Sequence, residues 1–188
     1  RIDRQNRLWT LDTGQHGIHP GRLLAFDLTS GEVVHEFEFP REIAGLGSHL
    51  NDFQVSPDRK FIYIAEASFF AKKPALIVYD VAGKSARRVL ERHPSVTAEY
   101  YTPVVQKRRM VALGLVSIRP GVDSIALDQK GEWLYFAPVT NLTSSGRLFL
   151  AVNSSVPATN LQQFIEHAKK ISLAYSTPGV GNNWHLAT

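Results

Sequence analysis

Residues 131–158, GEWLYFAPVTNLTSSGRLFLAVNSSVPA, decide how this chain is built. The first half has the alternation and turn chemistry of a hairpin in a β-sheet protein. The second half is a strand leading into the capped start of a helix. The pentapeptide between them, Phe136 to Thr140 (FAPVT), suits both readings. The question is whether the chain is one folding unit or two that meet at a shared stretch.

Upstream, the sequence is all β. Leu8–Leu11, Leu23–Phe26, Val33–Phe39, Phe53–Val55, Phe61–Ala65 and Leu76–Tyr79 are short apolar or alternating runs. Turn residues separate them, as in Thr29-Ser30-Gly31, Ser56-Pro57-Asp58 and Ala82-Gly83-Lys84. The long irregular stretch is about Glu99 to Arg119. The runs also recur. LLAFDLTSGEV at Leu23 returns as LIVYDVAGKSA at Leu76, 53 residues on. NDFQVSPDRKFIYIAEA at Asn51 returns as DSIALDQKGEWLYFAPV at Asp123, 72 residues on. The difference is about the length of the Glu99–Arg119 insert. Four-stranded units at such spacing are the signature of a β-propeller, and residues 1–140 hold two to three of them.

Composition narrows the function classes. In 188 residues, 44% hydrophobic, there is ample apolar content for a packed core and no run long enough to span a membrane. The absence of cysteine excludes disulfides, thiolate nucleophiles and Cys-ligated zinc. A net charge of +4 is mild, and Lys72-Lys73, Arg87-Arg88 and Lys107-Arg108-Arg109 are scattered, so no nucleic-acid partner is expected.

Taken in order, LWTLDTG, LLAFDL with GEVVHEFEFP, LNDFQVSPDRKFIYIAEAS, LIVYDV, RHPSV and VDSIALDQKGEWLYFAPVT resemble the Yellow/major royal jelly protein family. The resemblance is to its bacterial branch, related to the gluconolactonase-like propellers, and covers about residues 1–140. It implies a six-bladed propeller, usually secreted, with a small-molecule pocket at one end of the central channel. It also implies a site. In the related lactonases an Asn and an Asp at the starts of inner strands help hold a divalent metal, and Asn51 and Asp123 occupy such positions here. Oxygen ligands of this kind suit Ca²⁺ or Mg²⁺. The alternative is that Asn51, Asp123 and the neighbouring Asp52 cap strand ends. His16, His19 and His49 lie in loops, and the HxxH spacing of the first two is a weak metal signal.

Past Thr140 the pattern changes. Leu148–Val152 is an apolar strand; Leu161, Phe164, Ile165 and Ala168 form a helical stripe behind a Thr159/Gln162 capping box; Ile171–Tyr175 is a strand. A Gly-bearing loop, Ser176 to Asn183, follows. The order of motifs from FAPVT through NSSVPA to STPGVG and HLA resembles the Bug/TctC family, the extracytoplasmic solute receptors of tripartite tricarboxylate transporters. That resemblance implies a carboxylate ligand, with Ser176, Thr177, Gly179 and Gly181 as its cradle at a helix N-terminus.

The expectation is therefore a mainly β chain: a partial propeller at 1–140 and a short α/β fragment of a periplasmic-binding-protein-like fold at 141–188, joined at 136–140. It is expected outside the cytoplasm, periplasmic or secreted, with a carboxylate or lactone-like ligand. The one cofactor implied is a divalent cation such as Ca²⁺. A metal-dependent, gluconolactonase-like hydrolase is the further alternative, but no hydrolase activity is expected of this chain, because two to three blades do not enclose a channel.

Overall fold

Period-two patterns bounded by turn residues become antiparallel hairpins. The computed structural model describes residues 1–70, 72–140, 149–152 and 163. A first sheet is formed by β1 (Arg7–Asp12), β2 (Arg22–Asp27) and β3 (Val33–Glu38) in that order. A second, four-stranded sheet follows, made by β4 (Leu50–Val55), β5 (Phe61–Glu66), β6 (Ala75–Asp80) and β7 (Ser85–Val89). Two small hairpins come next: β8 (Val104–Val105) with β9 (Arg108–Arg109), and β10 (Val111–Ala112) with β11 (Val116–Ser117). They fill the stretch that reads as irregular in the sequence. A third sheet contains β12 (Val122–Leu127), β13 (Trp133–Pro138) and β14 (Phe149–Val152). All strand pairs are antiparallel. Among the described residues no helix is long and apolar enough to cross a membrane.

The third sheet runs across the FAPVT stretch. β14 pairs with β13 in the register Trp133↔Val152 to Phe136↔Phe149. The sheet thus takes strands from both sides of residues 136–140, where the sequence reading places a junction. Of the downstream elements read from sequence, Gln163 is described and is helical. The rest, including Ile171–Tyr175 and the Ser176–Asn183 loop, lies outside the described residues.

The core sits between sheets. Trp9 and Leu23 of the first sheet pack with Leu50, Ile62, Ile64, Ile77 and Tyr79 of the second. Ala65 and Leu76 of the second pack with Val122, Ile125 and Phe136 of the third. β-Branched residues suit these strands because their stiff side chains pack well on a pleated surface. β4 lies beside both β1 and β12.

Neighbouring sheets are stitched by side chains. Gln54 Nε2 on β4 donates to the Ile125 carbonyl on β12 at 2.9 Å. Seventy-two residues earlier, the repeat-equivalent Phe53 carbonyl accepts a hydrogen bond from Arg1 Nε at 3.1 Å. Arg1 stands beside β1, where its carbonyl accepts from the Trp9 amide. β4 and β12 thus each have an outward carbonyl capped from the sheet before it.

A buried ion pair ties down the second sheet. Glu66, fully buried at the end of β5, accepts from Arg88 Nη2 of β7 at 2.9 Å. Its other oxygen takes the His49 amide at 2.9 Å. Arg88 also donates to the carbonyls of Ile43 and Lys73 and pairs with Glu91. Burial pushes the Glu66 carboxyl above its ordinary range, opposed by the bonds from His49 and Arg88. Removing one member of such a pair leaves a bare buried charge. Arg88→Ala is therefore expected to cost about 3–5 kcal/mol in urea unfolding. The exposed neighbour Arg87→Ala should change stability by less than about 0.5 kcal/mol. Equal effects from the two would mean that the pair does not carry this stability.

Candidate functional site

β4 and β12 begin in the same way, and the local irregularity is the same. In β4, Leu50 pairs with Glu66 but Phe53 pairs with Ile64, so one extra residue is accommodated at Asn51-Asp52. In β12, Val122 pairs with Pro138 but Ser124 pairs with Ala137, leaving Asp123 as the extra residue. The bulges fall at matching points of the 72-residue repeat. A bulge re-aims side chains that a regular ladder would hold to one face. Here it brings Asn51, Asp52 and Asp123 together at one end of two adjacent sheets.

Asn51 Nδ2 donates to the Asp123 carbonyl at 3.0 Å. Asp52 is more fully engaged. Its Oδ1 accepts from Arg1 Nη2 at 2.7 Å and from the Phe53 amide at 2.9 Å; its Oδ2 accepts from the Ile125 amide at 3.3 Å. Asp123 differs. Burial and then the nearby Asp52 charge push its carboxyl up to about 6. A lowered dielectric and a like charge both disfavour the carboxylate.

Beside this group lies a ring stack that the sequence reading does not anticipate. His16 and His49 stack at 4.7 Å between ring centroids, and His49 stacks on Phe69 at 4.3 Å. Phe70 meets His16 edge-on. The Nδ1 atoms of both histidines are buried without a hydrogen-bond partner. His16 reaches this position on a left-handed turn, Gly14 to Gly17, in which Gln15 and His16 themselves have φ of 52° and 58°. Burial and the adjacent His16 hold the His49 imidazole below its ordinary range, opposed by a hydrogen bond with Asn51. His16 is thus joined to His49, not to His19 as the HxxH spacing suggests. A sequence signal was available in the Gly-rich flanks of His16 and His49.

As a metal site these residues are incomplete. Among the described residues no three His, Asp or Glu side chains are grouped to hold an ion. Asn51 bonds to the Asp123 carbonyl and to His49, and Asp52 is held by Arg1 and two amides. Asn51 and Asp123 together offer few oxygens, whereas Ca²⁺ takes six to eight. The residues expected to cradle a carboxylate, Ser176, Thr177, Gly179 and Gly181, lie outside the described residues.

The family profile for major royal jelly protein matches residues 1–174. The chain belongs to the major royal jelly protein family. The match continues past residue 140, into the stretch whose motifs resemble a transporter receptor. This family member is similar to major royal jelly protein 9 of Apis mellifera, 24% identical over 150 residues, covering 74% of this chain and 33% of the relative. It is likewise similar to major royal jelly protein 6 of Apis mellifera, 28% identical over 152 residues, covering 74% of this chain and 32% of the relative. It thus spans about a third of the length of these curated relatives. Among solved structures, it is similar to dihydro-heme d1 dehydrogenase NirN in complex with DHE, with a TM-score of 0.42 and 16% identity, covering 86% of this chain and 26% of that one.

The raised carboxyl of Asp123 has a measurable consequence. Its ordinary value is 3.8 and its folded value about 6. Below about pH 4 the group is protonated in both states and contributes nothing to pH dependence. Between about pH 4 and 6 the folded state holds the proton more tightly, so stability falls as pH rises; above about 6 the penalty is constant. Asp123→Asn is expected to remove this fall and to be stabilising at pH 7 but not at pH 3.5. Parallel stability curves for the two proteins across pH 3.5–7 would refute the assignment.

Proposed function

We propose that this chain is part of an extracytoplasmic β-propeller that binds a small polar molecule where β4 and β12 begin. The observation that carries the reading is the pair of repeat-matched bulges, which gather Asn51, Asp52 and Asp123 at one end of neighbouring sheets. Consecutive antiparallel sheets, with β1, β4 and β12 as neighbours, support the propeller. Family membership supports a place outside the cytoplasm, as the motifs implied.

Charge selects among the ligands. Asp52 is paired with Arg1, whereas Asp123 above about pH 6 presents negative charge, so a carboxylate approaching it is repelled. A neutral lactone or polyol is not repelled, and its hydroxyls can donate to Asp123. The reading is one of binding, not hydrolysis. Polarising a lactone carbonyl calls for a bound Lewis acid, and the described side chains do not complete its ligand set. The carboxylate reading rests on Ser176, Thr177, Gly179 and Gly181.

Ligand-observed NMR tests the proposal with two probes, D-glucono-1,5-lactone and citrate, at pH 7. Saturation transfer to the lactone is expected, with loss of the signal in Asp123→Asn and no acceleration of lactone opening over buffer. Absence of a lactone signal, or a lactone signal indifferent to Asp123→Asn, would overturn the assignment, whatever citrate does.

A further inference from the structure

The opposite end of the same strands holds a cavity lined by two arginines and two aspartates. Three loops meet there: Ile2-Asp3-Arg4 ahead of β1, Ser56 to Arg59 between β4 and β5, and Asp128-Gln129 between β12 and β13. They enclose a cavity of about 200 Å³, with Gln54, Val55 and Leu127 in its wall. The last two loops are equivalents in the 72-residue repeat. Ser56 Oγ accepts the Phe61 amide as Asp128 Oδ1 accepts the Trp133 amide.

The equivalence exposes an anomaly. Each of the three turns has a left-handed residue: Asn6 with φ 59°, Arg59 with φ 63° and Gly131 with φ 74°. Asn and Gly are the residues that visit this region most readily. Arg59 holds, at a conformational cost, the position that its repeat partner gives to glycine. Other non-glycine residues, Lys84 and Arg92 among them, share this conformation, so what marks Arg59 is its departure from its repeat partner and its place in the cavity wall.

Its acids and bases are not balanced in the same way. Asp3 accepts from Arg7 Nε, Trp9 Nε1 and two backbone amides. Burial opposes its ionisation, but the bonds from Trp9 and Arg7 outweigh this and hold its carboxyl below the usual range. Asp128 accepts the amides of Lys130, Glu132 and Trp133. Both acids are thus spent within the fold. Among the described residues, the guanidinium groups of Arg4 and Arg59 take part in no hydrogen bond or ion pair. The wall thus sets Arg4 and Arg59 against two carboxylates whose oxygens are already engaged, by Arg7, Trp9 and backbone amides. The two guanidinium groups are left to meet an incoming anion.

The geometry points to an oxyanion-binding site in which Arg4 and Arg59 hold a small ligand of phosphate or carboxylate chemistry. Guanidinium is suited to this because its planar fork matches two oxygens at once. The site lies at the far end of β4 and β12 from Asn51 and Asp123, so it stands independently of the ligand proposed there.

Isothermal titration of the whole chain with inorganic phosphate at low ionic strength, and separately with citrate, tests it. One saturable site is expected for at least one of the two anions. Arg59→Gly keeps the turn, since Gly131 shows that glycine suits this conformation, and it should melt no lower than the parent. It is expected to weaken binding about tenfold, the scale of one lost charge-assisted hydrogen bond. Arg4→Ala should weaken binding similarly, and keeps the test valid if the Arg59 variant alters the turn. The exposed Arg41→Ala should have no effect. A phosphate preference identifies a phosphorylated ligand and a citrate preference a carboxylated one. The proposal fails if neither anion saturates, or if Arg41→Ala weakens binding as much as the cavity variants do.

Discussion

An edge strand must satisfy backbone groups that its own sheet leaves outward, and here side chains from the adjoining sheet meet that need. β4 reaches across with Asn51, Asp52 and Gln54 to the Asp123 carbonyl, the Ile125 amide and the Ile125 carbonyl of β12. These bonds cap the edge without extending the ladder. Were the groups buried and unmet, each would cost a few kcal/mol at most. The bonds fix more than stability. They set the lateral register between sheets, and with it the meeting of the two bulges and the closing of the cavity at the far end. The apolar layers of Ile62, Ile77 and Tyr79 on one side and Leu76, Val122 and Phe136 on the other supply the burial. Burial is non-directional and does not specify which carbonyl faces which amide.

Much of the fold is legible in the sequence because strand periodicity and turn chemistry are local. The runs at Leu8, Leu23, Val33, Phe53, Phe61 and Leu76 all lie in strands, bounded within a few residues. The 72-residue repeat is reproduced down to the bulge. β14 shows where local reading stops. An apolar run such as Leu148–Val152 looks the same whether it begins an α/β unit or joins a β-sheet, and pairing is a long-range fact. One clue was present. Gly146-Arg147-Leu148 repeats Gly21-Arg22-Leu23, which leads into β2.

The candidate site was legible in part. Asn51 and Asp123 stand out because they align across the repeat, and the structure brings them together. Their partners do not stand out. Arg1 and Asp52 are 51 residues apart, and no periodicity links them. Glu66 looks like a polar end to a strand until its burial and its bond to Arg88 are seen. The His16–His49 stack depends on a left-handed turn meeting a loop 33 residues away, a geometry that HxxH spacing does not encode. Arg59 is the instructive case. The letter alone is an ordinary turn residue; what sets it apart is that its repeat partner is Gly131.

The stitches between sheets also have a direction in time. Arg1 precedes the Phe53 carbonyl it caps, and Gln54 precedes the Ile125 carbonyl it caps. A chain leaving the ribosome therefore makes each reaching side chain before the backbone group it meets exists. The newest sheet always docks on one already furnished to receive it, and does not have to wait for residues still to come. Domains emerging N-terminus first are exposed to mispairing while their edges stand open. Here the order of synthesis and the order of capping coincide, so the growing edge of a nascent repeat is the one side left unsealed.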